Sequence, residues 1–499
     1  MSDVHGRKRE RTSAEAIKAR REKEAEKIKE YRDLVEQCRS QIKNEQYDED
    51  TLLLTTRILQ QNPDFYTIWN YRRKVLLRGI LERDAAKDRP VFCKELDFFM
   101  QVIRINPKSY WLWNHRVWCL QTMPDPDWKA ELGLVEKMLA MDARNFHGWN
   151  YRRYVVKKLK AIATNEQEEA AIIKNEYNFT TKKIYDNFSN FSAWHQRSKL
   201  LPSIVAPLSM EEKNQKAREE FDLVKNAVYT DPNDQSAWLY YRWLIGHTPS
   251  EISVLGAFRL SGLDVISLVF SKNATLLKTP SVTTADGHSV SGQWCFSKQR
   301  SNTSSIYIFK PAETLTEDVT IRIPAKSVAA AHSIFDYSWE GAPVYLATDS
   351  SVADIVISNL KNMTIFSGAR FTDLIEDFPS SWYTLDRTEL LGEEIQAIRD
   401  LLEEEPDSRW ALETLAHFLE QLKLCDATAN VQNINTEIAG IFDRLIDLDS
   451  HRRQRYQDAK NALKWSADSH AILEAYKKQD VSGPAAQLLL DAIRRELCG

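Results

Sequence analysis

The chain has 499 residues, 43 % of them apolar, and 67 Lys and Arg against 71 Asp and Glu, for a formal net charge of −4. That length and apolar share suit a large core divided into two to four domains, and the balanced charge gives no whole-chain attraction for nucleic acid or an anionic membrane. Six cysteines without CxxC spacing and no apolar run long enough to span a bilayer lead us to expect a cytoplasmic protein with reduced thiols and no stable membrane insertion.

Residues 1–33 form a charged leader, with basic Arg7-Lys8-Arg9 and then Glu and Lys/Arg interleaved with Ala, which suits a solvated helix. Residues 34–248 carry one pattern five times: Asn or Asp, a Trp seven residues on, and an Arg one turn later. The copies are Asn62…Trp69…Arg72, Asn106…Trp113…Arg116, Asp142…Trp149…Arg152, Asn187…Trp194…Arg197 and Asp231…Trp238…Arg242, the last with Tyr241 in the place of the Arg. Successive tryptophans are 44, 36, 45 and 44 residues apart, a period that belongs to stacked helical hairpins. The Asn or Asp is expected to be an N-cap, and Pro63, Pro107 and Pro232 the first helical residue. Each Trp, nearly two turns in, is expected to wedge between hairpins, and Arg72, Arg116, Arg152 and Arg197 to pair with acidic residues inside the stack. Amphipathic stretches such as Leu52 to Leu59 and Leu96 to Ile103 supply the partner helices. The expected fold is mainly α, a right-handed α–α superhelix.

Near residues 246–249 the pattern stops. Residues 251–370 are rich in Ser, Thr and Val, with alternating runs such as Ile306-Tyr307-Ile308-Phe309 and Val319-Thr320-Ile321 between breaks at 284–288 and 340–343. They read as an inserted small β-sandwich. Helical periodicity returns over 383–499, with a degenerate sixth copy at Glu405-Pro406…Trp410 and the start of a seventh at Asp449. The ending Leu497-Cys498-Gly499 is not a prenylation signal, because the Cys lacks three residues after it.

The copies differ where a function could sit. Five residues before the Trp stand Asp64, Lys108, Arg144, Ser189 and Asn233. Lys108 and Arg144 put cations against the positive end of a helix, which is unfavourable unless an anion is present. Three before the Trp, only Tyr66 and Tyr110 add a hydroxyl. Copies two and three therefore gather Lys108, Tyr110, Arg144, Asn145 and His147 at neighbouring helix starts, as a candidate phosphate or diphosphate site or as ordinary solvated helix ends. No HExxH, HxxH or CxxC spacing and no Gly-rich phosphate loop occurs, so a metal site is expected on another chain and a self-contained enzyme is not.

The repeated Asn/Asp-Pro-x-x-Tyr/Phe-x-x-Trp-x-x-Arg pattern resembles the repeat of protein prenyltransferase α subunits. The β insert after the fifth copy, and the opening His5-Gly6-Arg7, resemble the α subunits of Rab geranylgeranyltransferases, the type II branch, without the leucine-rich repeats of mammalian forms. The resemblance implies a heterodimer with a β subunit that holds a Zn²⁺, no cofactor on this chain, and geranylgeranyl transfer from geranylgeranyl diphosphate to C-terminal cysteines of Rab GTPases brought by a Rab escort protein. It implies that Lys108 and Tyr110 reach the diphosphate and act on the leaving group, and that Asn145 and His147 line the same mouth. Two alternatives stand beside it. One is the farnesyltransferase and type I α subunit, which lacks an insert like 251–370. The other is a non-enzymatic helical-repeat scaffold, whose repeats of about 34 residues do not match this period.

Overall fold

The computed structural model describes residues 14–246, 251–259, 265–276, 278–284, 286–295, 303–315, 319–323, 328–330, 353–357, 370–372, 382–477, 487–488 and 491–492. Residues 5–7, 340–343 and 497–499, singled out above, lie outside these. The chain forms two compact units, Met1–Ile172 and Ile173–Gly499. The first holds α1 (Ala14–Lys43), α2 (Glu49–Gln61), α3 (Tyr66–Val75), α4 (Ala85–Ile103), α5 (Tyr110–Thr122), α6 (Trp128–Met141) and α7 (Phe146–Ile162), and α8 (Glu166–Asp186) spans the division. The second continues with α9 (Phe191–Val205), α10 (Met210–Thr230) and α11 (Gln235–Ile245). No helix among the described residues is long and apolar enough to cross a membrane.

The expected caps are corrected. Asn62, Asp142 and Asp231 terminate the first helix of their hairpins. The second helix starts from a cap three residues later, at Phe65, Ser109, Asn145, Asn190 or Asp234. Between them lies a four-residue turn whose first carbonyl accepts the fourth N–H, at 3.4, 3.2, 3.2, 3.0 and 3.3 Å in the five copies. Proline thus occupies the second turn position, where its fixed φ fits and its missing N–H costs nothing. In four copies the Asn or Asp Oδ1 accepts the N–H two residues on, at 2.9–3.3 Å. A short polar acceptor followed by Pro suits a helix start and a turn equally, which is why the local sequence misplaces the boundary. Each Trp consequently stands one turn into its helix.

The Trp has a bond as well as a volume. All five are buried, at 0–4 % exposure, and each Nε1–H donates to the carbonyl of the second turn residue. The acceptors are Pro63 (2.8 Å), Pro107 (3.1 Å), Ala143 (2.9 Å), Phe188 (2.8 Å) and Pro232 (2.9 Å). The indole therefore fills the core and satisfies the turn at once.

A buried ion pair joins one hairpin to the next. Arg72 of α3 binds Glu95 of α4 through two bonds of 2.6 and 2.7 Å; Arg116 of α5 binds Glu131 of α6 at 2.5 and 2.8 Å; Arg197 of α9 binds Glu220 of α10 at 2.7 Å twice. Each carboxylate also meets a residue two past the Trp of its own copy: His115 on Glu95 at 2.9 Å, Tyr151 on Glu131, and Tyr240 on Glu220 at 2.5 Å. These glutamates stand 18 residues before Trp113, Trp149 and Trp238, a spacing that the sequence shows and that our reading of it did not use. Burial pushes the Glu95 and Glu220 carboxyls up, but Arg72 and Arg197 outweigh it and hold both at about 2.

After α11 the described residues form nine strands, paired antiparallel: β1 (Glu251–Arg259), β2 (Ile266–Leu276), β3 (Ser281–Thr284), β4 (Gly292–Cys295), β5 (Thr303–Pro311), β6 (Val319–Ile323), β7 (Val328–Ala330), β8 (Ala353–Ile357) and β9 (Arg370–Thr372). One sheet has the order β4-β5-β2-β1-β9 with β7 also on β2, and the other is β3-β6-β8. Ile252, Leu268, Phe270 and Phe309 of the first sheet share one apolar core with Val282, Val319, Ile321 and Ile323 of the second. The alternation expected of β5 does not mean a wet face: Ile306 and Ile308 are as buried as Tyr307 and Phe309.

Helix then returns as α12 (Arg387–Glu404), α13 (Arg409–Cys425), α14 (Val431–Leu448) and α15 (Arg453–Lys477). On α15, Trp465 Nε1 donates to Phe270 O at 3.1 Å and Ser469 Oγ to Ser271 O at 3.0 Å, so this helix lies along β2. The fold is therefore a mainly helical hairpin array carrying a small antiparallel β insert. The insert leaves the repeat logic intact: Tyr241 donates to Glu394 of α12, where an Arg would stand, and Lys225 Nζ supplies the cation at 3.3 Å.

Glu220→Ala strands Arg197 in the core and is expected to cost about 3–5 kcal/mol. Glu393→Ala removes a half-exposed partner of Arg218 and is expected to cost under about 1 kcal/mol. Urea unfolding midpoints of the two variants check this, and equal shifts would show that the buried pairs are not what ties the hairpins. Acid should act in two stages. His115 is depressed to about 4 by burial, so stability begins to fall below about pH 6.5, the ordinary imidazole value. The glutamates, low in the fold and near 4.3 when unfolded, add a loss that sets in below about pH 4.3 and continues toward pH 2. A urea midpoint constant from pH 7 to 3 would contradict both.

Candidate functional site

The site residues converge on the turn between α4 and α5 and on the first turn of α7. Lys108 is the third residue of the turn 106–109, so it precedes the cap Ser109 instead of lying inside the helix as the sequence suggested. It is exposed, and no carboxylate among the described residues pairs with it. Tyr110 opens α5, is 60 % exposed, and lays its ring 5.6 Å from Phe146 and edge-on to His147 at 4.3 Å. Arg144 repeats the Lys108 position one copy on and is also exposed.

Asn145 and His147 are placed differently: both are buried. Asn145 caps α7, its Oδ1 accepting the N–H of His147 at 3.0 Å and of Gly148 at 3.2 Å, and its Nδ2 donates to Pro107 O at 3.1 Å. Its amide is thus engaged on both sides. His147 Nε2 lies 3.1 Å from Lys108 O. A carbonyl only accepts, so this nitrogen carries the proton. Burial draws the ring below the ordinary imidazole value, partly opposed by the Lys108 bond, which leaves it neutral at pH 7. Beneath it Trp113 lies nearly parallel, 6.2 Å away at 12°.

The arrangement offers an unpaired ammonium and a phenol hydroxyl beside the positive end of a helix, backed by two engaged side chains. That suits an anion with developing charge. It contains no nucleophile with a base beside it, and no group of three or more His, Cys, Asp or Glu among the described residues could hold a metal ion. Sequence reasoning missed Ser109, which donates to Asp64 Oδ1 at 2.6 Å and, more weakly, to Pro63 O at 3.4 Å. Its signal was the polar residue four before the Trp in four of the five copies: Ser109, Asn145, Asn190 and Asp234.

The class follows from the hairpins. The protein prenyltransferase alpha subunit repeat matches residues 48–79, 92–123, 128–159, 173–204 and 217–248, each covering all or the latter part of one hairpin's first helix, the turn, and most or all of the second helix. Geranylgeranyl transferase type-2 subunit alpha of Rattus norvegicus is 32 % identical over 428 residues, covering 84 % of this chain and 70 % of that one. The protein of the same name from Saccharomyces cerevisiae is 38 % identical over 245 residues, 48 % of this chain and 72 % of that one. The Homo sapiens one is 40 % identical over 247 residues, 49 % and 42 % respectively. The chain belongs to the family of geranylgeranyl transferase type-2 alpha subunits.

Asn145→Ala removes a helix cap and the bond to Pro107 O and is expected to destabilise by about 1–2 kcal/mol. Lys108→Ala, at an exposed unpaired site, is expected to change stability by under about 0.5 kcal/mol. Thermal unfolding of both variants checks the contrast, and a reversed order would mean that Lys108 is held by the fold.

Proposed function

We propose that this chain is the α subunit of a Rab geranylgeranyltransferase and supplies Lys108 and Tyr110 to the diphosphate end of a site that a β subunit completes. Family membership supports the heterodimer, and the unpaired Lys108 beside Tyr110, with the carbonyls on either side of Lys108 both bonded from α7, is the observation that carries the assignment of roles. As the C1–O bond of geranylgeranyl diphosphate breaks and a thioether forms on a C-terminal cysteine of a Rab GTPase, negative charge gathers on the departing diphosphate. The Lys108 ammonium and the Tyr110 hydroxyl stabilise that charge, an electrostatic contribution worth more in the transition state than in the bound substrate. In this reading Zn²⁺ belongs to the β subunit and none to this chain, a Rab escort protein presents the substrate on the outer helices, and the enzyme works in the cytoplasm. Asn145 and His147 stand behind the mouth.

The chain alone is expected to transfer no prenyl group, and co-purified with its β subunit to transfer geranylgeranyl in preference to farnesyl. Lys108→Ala in that heterodimer should leave assembly intact and lower the single-turnover rate by about 100-fold. Unaltered single-turnover kinetics would remove the diphosphate role. Transfer by the isolated chain would remove the heterodimer itself.

A further inference from the structure

Lys108 differs from its sister positions in how its backbone is held. Asn145 Nδ2 takes the carbonyl before it, Pro107 O, at 3.1 Å, and His147 Nε2 takes its own carbonyl at 3.1 Å. The first contact has equivalents elsewhere, in Ser109 on Pro63 O at 3.4 Å and Ser408 on Pro232 O at 2.8 Å. The second has a weaker equivalent among the described residues, Ser236 Oγ on Ser189 O at 3.4 Å. The residues two before the Trp are Thr67, Trp111, His147, Ser192 and Ser236, so the imidazole stands in the copy that faces the Lys108 and Tyr110 turn. Its ring meets the edge of Tyr110 at 4.3 Å while its Nε2–H takes Lys108 O. One buried side chain thus touches both residues assigned to the diphosphate, from a different hairpin.

We propose that His147 is a positioning residue: as the neutral Nε2–H tautomer it fixes the Lys108 backbone and the Tyr110 ring together, and it acts on the reaction through them without touching substrate. The proposal rests on the diphosphate reading above and replaces direct contact by His147 with support. An imidazole suits the task because it combines a directed donor with a flat face that packs on aromatics, and because two hairpins must keep one spacing for an ammonium and a hydroxyl to meet the same charge.

The test is a double-mutant cycle in the heterodimer with its β subunit. His147→Phe keeps the aromatic packing and removes the donor, and is expected to lower the single-turnover rate about tenfold with little change in KM. In a Lys108→Ala background the same substitution should cost under about twofold, because its route of action is gone. A residue with a merely structural role would cost the same in both backgrounds, and that additivity would overturn the proposal. So would a silent His147→Phe beside an impaired Lys108→Ala. Imidazole ¹⁵N shifts of the isolated chain at pH 7 should show Nε2 protonated and Nδ1 bare, and the opposite tautomer would overturn the proposal without reference to activity. A Lys108→Ala enzyme of full turnover would instead fell the diphosphate reading and this inference with it, an outcome distinct from the others.

Discussion

The carbonyl of the second residue in each hairpin turn is the constraint on which the repeat depends. It points toward the following helix, where a buried lone pair needs a partner. One partner is the indole N–H of the Trp six residues later, present in all five copies. The second, in three described turns, is the cap side chain of the following hairpin: Ser109 on Pro63 O, Asn145 on Pro107 O and Ser408 on Pro232 O. Proline suits this place, having a carbonyl to offer and no N–H to satisfy. The Trp is accordingly more than bulk, since Phe would fill the space and leave the carbonyl short of a donor.

The buried Arg–Glu pairs work one layer deeper. They are costly to desolvate and add little net stability over a well-packed apolar contact. They do select register, since each Arg finds its carboxylate only when one hairpin sits correctly on the next. The junction with the β insert shows how the pattern tolerates interruption. Tyr241 replaces Arg and gives up a charge, Lys225 brings one from α10, and Glu394 answers from α12, 153 residues away in sequence from Tyr241. Two helices far apart along the chain thus meet as neighbouring copies do, and the strands between them pack into a separate core.

Against that uniform background, the candidate site is a local departure. The turn at 106–109 uses the same carbonyl as its sisters, yet carries a cation that pairs with no described carboxylate and a tyrosine whose ring leans on the next hairpin. Of the residues behind it, Asn145 shares its type with Asn190, whereas His147 stands where three sisters have Thr67, Ser192 and Ser236. His147 does to Lys108 O what Ser236 does to Ser189 O, with a longer reach and a shorter bond. A scaffold that repeats is well suited to such a site, because one copy can change its exposed residues while the buried bonds keep its position.

By itself the sequence determined the hairpin period, the burial of Trp, the pairing of Arg72, Arg116 and Arg197 with acids, the place where helix gives way to strand, and the pair of residues, Lys108 and Tyr110, that stands out between copies. Those are matters of spacing and residue type, and spacing survives projection onto one dimension. The tertiary structure alone decided where the helices begin, because an Asn-Pro or Asp-Pro step satisfies a turn and a cap with the same atoms and only the neighbouring hairpin chooses between them. It decided that β5 is buried on both faces over residues 306–309, since what covers a sheet is not written in its strands. And it separated the four candidate residues into two that are exposed, Lys108 and Tyr110, and two that are buried, Asn145 and His147. Asn145 and Lys108 are 37 residues apart, and only the stacking of one hairpin on the next brings the donor of one to the carbonyl that precedes the other.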